Sequence, residues 1–208
     1  MIMDRRGGLP VGLQTNPVAT QESEDGVRLR DRSHDSGDAA HASVSMTPLP
    51  PRAPGEPFLS VPIPPGWTLI YEDDSTLVRG ALVNVGLRGL DFTPTVVITL
   101  ADVSEDSRTA ERAIATEQAA VEAQPEVSDF AFYDGTLCGY VSRALTYRYE
   151  GRDAMTLIVA GTDWFERTWV CTVGIQTAVP DDARFVHDRA AIFENFQFLV
   201  LRGGGMIA

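Results

Sequence analysis

The pattern of hydrophobic and polar positions divides the chain into two parts. Residues 1–55 are rich in Ser, Asp, Gly, Pro and Arg and nearly free of aromatic residues. Such a segment cannot bury enough apolar area to offset its chain entropy, so we expect a disordered tail. Its last part, around Pro48, Pro50, Pro51, Pro54 and Pro57, is typical of an extended linker. From Glu56 onwards hydrophobic runs follow one another closely, which predicts a single domain over residues 56–202 and a frayed tail over residues 203–208.

The domain begins with short runs that are typical of β-strands. Phe58–Ile63 predicts a strand at the edge of a sheet, because Pro62 and Pro64 cannot donate backbone hydrogen bonds. Further alternating or β-branched runs predict a hairpin and then a buried strand: Trp67–Tyr71, Leu77–Asn84 and Thr95–Leu100.

Two helices are predicted. Residues 104–124 form the first, with Ser104 as N-cap and Pro125 as its stop. The second begins at residues 179–182, where Pro180 and the following acids suit a helix N-terminus. Its apolar positions recur at helical spacing and predict core packing, and residues 196–201 then form a last strand: Phe185, Ile192, Phe193 and Phe196.

Between the helices the sequence predicts long antiparallel strands. They cover residues 127–133, 137–149, 155–160 and 165–177, and the pairs Asp134–Gly135 and Glu150–Gly151 are hairpin turn signals. Alternation places Phe165, Trp169 and Cys171 on the core face of the last strand. Cys138 has the opposite parity to the apolar residues of its strand, so we predict two free thiols, as in a reducing compartment.

Charge narrows the range of partners. The formal net charge is −12, and all 17 basic residues are Arg. Residues 56–208 contain 22 acidic residues and 11 Arg, a net charge of −11. An acidic surface repels phosphate backbones and anionic lipid heads, which argues against nucleic acid and against electrostatic membrane anchoring. No apolar run suits a transmembrane helix, and neither a signal-peptide core nor a lipobox cysteine is apparent, so we expect a cytoplasmic protein.

The segment Phe-x-x-Val-x-x-Pro-Pro-Gly-Trp at residues 58–67, with Val61, Pro65, Gly66 and Trp67, is followed by an acidic Ala-rich helix and an antiparallel meander. Together with Phe193, Phe196, Phe198 and Leu199 at the end, this order of elements resembles the LpqN/LpqT family of actinobacteria. The resemblance implies an α+β, Mog1/PsbP-like fold, an antiparallel sheet covered by helices as an αβα sandwich. It also implies an accessory or binding protein without a shared catalytic site. Typical members are exported lipoproteins with an N-terminal lipobox, and we expect this protein to depart from the family in this respect.

The sequence indicates no catalytic, metal-binding or cofactor-binding residues. His187 is the one histidine of the predicted domain, and its position within a charged helix segment favours a surface role. The adjacent acids at 73–74 and 181–182 suit a turn and a helix start, and no Gly-rich phosphate loop precedes a helix. Nothing near Cys138 in sequence lowers its pKa, which favours a structural role.

The leading hypothesis is therefore a non-enzymatic module that binds a protein and takes no cofactor. The prolines at the predicted edge strand favour a monomer. The alternatives are a carrier of a small apolar ligand between the sheet and the terminal helix, and an enzyme whose cleft the sequence does not reveal. The candidates for partner contacts are three aromatic positions and one acidic position: Trp67, Tyr71, Trp164 and Glu111. For Trp67, core packing is the favoured alternative.

Overall fold

A computed structural model describes residues 45–70, 75–89 and 92–201. The strands are β1 (Met46–Leu49), β2 (Phe58–Pro62), β3 (Thr68–Ile70), β4 (Val78–Val83), β5 (Thr95–Asp102), β6 (Val127–Leu137), β7 (Tyr140–Tyr149), β8 (Arg152–Thr162), β9 (Thr168–Thr177) and β10 (Gln197–Leu199). The helices are α1 (Ala110–Glu122) and α2 (Ala183–Asn195), and a 3-10 turn covers Val85–Leu87. None of these helices has the length and apolarity needed to span a bilayer.

The strands form two antiparallel sheets. The larger sheet has the order β3-β4-β5-β9-β8-β7-β6, and the smaller one has the order β1-β2-β10. On one face of the larger sheet, α2 and the smaller sheet share a core with β4, β5, β8 and β9. On the other face, α1 packs against β6 to β9. The fold is thus an α+β arrangement of an antiparallel sheet with helices on both faces, as predicted.

The smaller sheet corrects two predictions. β1 lies in the segment predicted as a linker, and it pairs with β2, which places β2 between β1 and β10 and not at an edge. The physical reason is a buried ion pair: Arg79 Nη2 lies 2.6 Å from Glu56 Oε1, and Glu56 Oε2 accepts a hydrogen bond from the Arg52 amide. These contacts hold the Pro-rich segment against β4. The rest of the predicted tail, residues 1–44, lies outside the described residues.

The first helix begins later than predicted. Its N-cap is Thr109, whose hydroxyl accepts a hydrogen bond from the Arg112 amide, and the helix starts at Ala110. Ser104 is part of a preceding turn, where its amide donates to Asp102 and its hydroxyl accepts from the Thr168 amide. A bond to a distant strand therefore competes with helix capping at Ser104.

The β6–β7 hairpin turns at Cys138–Gly139 and not at Asp134–Gly135. Both turn residues have positive φ, 52° and 80°, as a two-residue type I′ turn requires. Gly135 lies inside β6 opposite Ser142. The predicted turn at Glu150–Gly151 is confirmed, with φ values of 51° and 74° between β7 and β8.

The last helix agrees closely with the prediction. Asp182 is its N-cap and accepts hydrogen bonds from the Arg184 and Phe185 amides. The predicted apolar positions Phe185, Ile192, Phe193 and Phe196 are all buried in the core beneath α2. Both cysteines are free: Cys171 is wholly buried in β9, and Cys138 is exposed in the hairpin turn.

Candidate functional site

The turn between β8 and β9 is organised around one buried carboxylate. The Asp163 side chain is only 1% exposed and accepts hydrogen bonds from the Phe165 amide, the Arg167 amide, the Arg167 guanidinium and the Trp169 indole. Glu166 adopts a positive φ of 62° to close the turn. We call residues 163–167 the aromatic turn.

Two opposing effects act on the pKa of Asp163. Burial raises it, but the hydrogen bonds donated by Arg167, Trp169 and Phe165 lower it more, so the pKa lies below its ordinary value. The carboxylate is therefore ionised at neutral pH and continues to hold the turn together.

The aromatic turn carries two large side chains into solvent. Trp164 is 69% exposed and Phe165 is 72% exposed. The Trp164 amide donates a hydrogen bond to the Leu201 carbonyl, and the Arg167 guanidinium lies over the rings of Phe165 and Trp169. These contacts fix the backbone, while the two aromatic side chains remain available for contact.

Beside Trp164 lies an open groove of about 520 Å³. Its lining includes Glu111 from the first turn of α1 and, from other parts of the chain, Tyr140, Gly161 and Trp164. A Cβ atom at Gly161 would lie 2.7 Å from the Tyr140 ring, so glycine lets that ring pack onto β8. We call this the Trp164 groove.

The structure brings together two of the four predicted contact residues and separates a third. Glu111 and Trp164 line the same groove although they are far apart in sequence. Trp67 is only 5% exposed and donates an indole hydrogen bond of 2.9 Å to Asp188, so packing explains it better than partner contact. Tyr71 lies outside the described residues.

Phe165 is the site residue that sequence reasoning missed. Phe165 lies four residues before Trp169, so strand alternation predicts both side chains on the core face. The prediction is wrong for Phe165, because β9 begins only at Thr168 and Phe165 lies in the preceding turn. One local signal of this turn is present in the sequence. Asp side chains often accept a hydrogen bond from the backbone amide two residues later, which favours a turn at Asp163 and Phe165.

A second, smaller groove of about 250 Å³ lies where α2 meets β7, β8 and β9. Met155, Ile175 and Phe185 contribute apolar surface, and Arg148 and Arg189 are among its polar lining residues. Phe185 lines this groove although it is only 1% exposed and belongs to the same core as Phe193 and Phe196.

The described part of the chain contains no group of three or more His, Cys, Asp or Glu residues placed to hold a metal ion. His187 is exposed on α2, and Cys171 is buried so that the pKa of its thiol is raised far above the usual range. These groups do not converge on either groove.

No protein-family model matches the sequence, and no curated protein matches it. Solved structures do resemble it. The crystal structure of LpqN, involved in cell envelope biogenesis of Mycobacterium tuberculosis, is 18% identical, with a TM-score of 0.60 over 74% of this chain and 91% of that chain. The solution structure of cyanobacterial PsbP from Synechocystis is 15% identical, with a TM-score of 0.45 over 78% of this chain and 97% of that one. The likeness to LpqN shows a shared fold.

Proposed function

We propose that this protein is a non-enzymatic accessory module of the LpqN/LpqT type that binds a protein partner through the Trp164 groove. One observation carries the proposal: adjacent aromatic side chains, 69% and 72% exposed, stand on a turn that a buried carboxylate holds in place. Exposed tryptophan adjoining a groove is a frequent anchor of protein interfaces.

The rigidity of the aromatic turn supports this role. Binding costs free energy when flexible segments must be ordered, roughly 0.5–1.5 kcal/mol for each immobilised side chain. The hydrogen bonds that Asp163 and the Leu201 carbonyl accept already order the backbone at Trp164. Partner contact then immobilises little more than the two aromatic rings.

Fold likeness supports the accessory class but not a particular partner. LpqN is described as involved in cell envelope biogenesis, and this chain shares its architecture. For this chain we propose a cytoplasmic location, supported by two unpaired cysteines in the described residues. Fractionation of the source cells that recovers the protein outside the cytoplasm would contradict that location.

The test compares Trp164→Ala with Phe58→Ala, a control that removes an aromatic side chain 49% exposed in the smaller sheet. Each tagged variant is expressed in the source cells, crosslinked and purified, and associated proteins are quantified by mass spectrometry. We expect one partner that the wild type and Phe58→Ala retain and that Trp164→Ala loses at least tenfold, about 1.4 kcal/mol. A partner retained equally by both variants, or none with the wild type, would contradict the proposal.

A second candidate function is favoured by the smaller groove. Its apolar side chains suit a small apolar ligand held between the sheet and α2. The lining carboxylates Asp129 and Asp153 lie 3.8 and 3.9 Å from Arg148 and offset its charge, so the groove does not select for an anionic group. Its volume of about 250 Å³ is below the range of about 300–1,000 Å³ usual for ligand pockets, which is why we rank it second. Native mass spectrometry of the purified protein, with Ile175→Trp to fill the groove, tests this alternative; a ligand that survives Ile175→Trp would contradict it.

A further inference from the structure

The outer edge of β6 is the longest free strand edge in the described part of the molecule. β6 contains 11 residues and ends the larger sheet, whereas the other terminal strands contain three or four: β3, β1 and β10. The expectation of a monomer rested on prolines at the edge of β2. Because β2 lies between β1 and β10, those prolines protect no edge of either sheet.

The hairpin register shows which backbone groups of β6 point outward. Leu137 and Tyr140 flank a two-residue turn and therefore form a hydrogen-bonded pair. Hydrogen-bonded and non-hydrogen-bonded pairs alternate along antiparallel strands, and the register runs without a shift from Ala131 to Leu137. The N–H and C=O groups of Phe132, Asp134 and Thr136 consequently face away from β7.

The usual protection against edge pairing is weak along this stretch. β6 contains no Pro and no basic residue, and its bulge lies near its start, at Asp129. Its two carboxylates already have partners: Asp134 lies 2.6 Å from Arg143, and Asp129 lies 3.8 Å from Arg148.

Aromatic side chains stand on both faces of the same edge. Phe132 is 45% exposed on the α1 face, where Arg143 lies 4.6 Å from its ring centre. Tyr133 is 53% exposed on the opposite face. An added strand would cover apolar surface on both sides of the sheet, besides pairing its backbone.

We propose that a second copy of this chain occupies this edge, with the two β6 strands antiparallel about a two-fold axis at Tyr133. A two-fold interface uses the same patch twice. This register places Tyr133 opposite Tyr133 of the second copy, a favourable aromatic pair. It also places Phe132 opposite Asp134 of the second copy, so no two carboxylates lie directly opposite each other.

The charge of the molecule gives this dimer a distinctive salt dependence. Residues 56–208 of each copy carry a net charge of −11, so two copies repel at low ionic strength. Because salt screens that repulsion, the dimer strengthens as salt is added, opposite to the behaviour of an interface held by ion pairs.

The test is sedimentation equilibrium of the purified full chain over a wide range of protein concentration, at low and at high NaCl. Tyr133→Lys adds charge at the two-fold axis, and Thr136→Pro removes an outward N–H without breaking a bond to β7. Phe58→Lys is the matched control, and Trp164→Ala separates this interface from the proposed partner site. Circular dichroism verifies the folding of each variant; if Thr136→Pro does not fold, Tyr133→Lys decides.

We expect a monomer–dimer equilibrium in the wild type, Phe58→Lys and Trp164→Ala, with a dimer fraction that rises with NaCl. Tyr133→Lys and Thr136→Pro should weaken dimerisation at least tenfold. In the dimer, hydrogen exchange at the amides of Phe132, Asp134 and Thr136 should slow. A wild type that is monomeric throughout, or a dimer that both β6 variants leave intact, would overturn the proposal.

Discussion

Asp163 shows how one carboxylate can determine the shape of a surface turn. Its side chain is 1% exposed, and its partners come from three residues that follow it: Phe165, Arg167 and Trp169. These side-chain bonds add to two backbone bonds within the turn, from the Asp163 amide to the Arg167 carbonyl and from the Glu166 amide to the Asp163 carbonyl. The residue therefore connects the stability of the fold with the geometry of the candidate site.

Asp163→Asn tests this role. Because the pKa of Asp163 is lowered in the folded state, its stabilisation is complete above the ordinary carboxyl pKa and disappears as pH falls through the folded value. We expect the variant to lower the free energy of unfolding at pH 7 by about 2–4 kcal/mol and to flatten the loss of stability in acid.

Urea unfolding as a function of pH measures both effects. Asp153→Asn is the control, because Asp153 is half-exposed and forms a long surface ion pair of 3.9 Å with Arg148. Such a pair stabilises a protein by about 0–1 kcal/mol. Equal stability changes in the two variants would show that Asp163 does not organise the turn.

Among the elements, one hydrogen bond from the Trp67 indole joins the residue just before β3 to the middle of α2. Trp67 Nε1 donates to Asp188 Oδ2 over 2.9 Å, and both residues are more than nine-tenths buried. A lost partner at a buried carboxylate costs more than the bond contributes, because the charge remains desolvated.

Trp67→Phe should therefore lower the free energy of unfolding by about 2–4 kcal/mol, although phenylalanine preserves most of the apolar contact. Combining it with Asp188→Leu should recover part of the loss, since no unpaired carboxylate then remains. Thermal and urea unfolding of the single and double variants give the coupling between the two positions. Purely additive effects would argue against the bond as an anchor of α2.

For the molecule as a whole, the two cysteines differ in what must open before a reagent can reach their thiols. Cys171 lies on the central strand β9 with no exposed surface, and burial raises the pKa of its thiol despite the opposing charge of Arg79. Cys138 is exposed in the β6–β7 turn. A reagent can reach Cys138 in the native state, but Cys171 requires opening of the sheet.

We expect one thiol to react rapidly in the native protein and the second at the rate of global unfolding. Cys138→Ser should remove the rapid phase alone, and denaturation without reductant should release both thiols. The measurement is a time course with a chromogenic disulfide reagent. Equal native rates for both thiols would contradict the buried position of Cys171.

Local signals predicted most elements where neighbouring residues decide the outcome. Alternating and β-branched runs located β4, β5, β8 and β9, and Asp182 with the following apolar spacing located α2. One error, the position of the β6–β7 turn, occurred where two local signals competed. Asp134–Gly135 and Cys138–Gly139 both suit a turn, and the pairing of Phe132 with Leu145 and of Asp134 with Arg143 selected the second.

Residue type and near neighbours were enough to predict the alternation of the strands and the net negative charge of residues 56–208. The folded structure was needed to show that Glu111 and Trp164 share a groove, that β1 joins a sheet, and that β6 is the longest free edge among the described strands. These outcomes depend on contacts between residues far apart in the chain. Each such contact becomes favourable only when many others form with it, and no local window of sequence contains that sum.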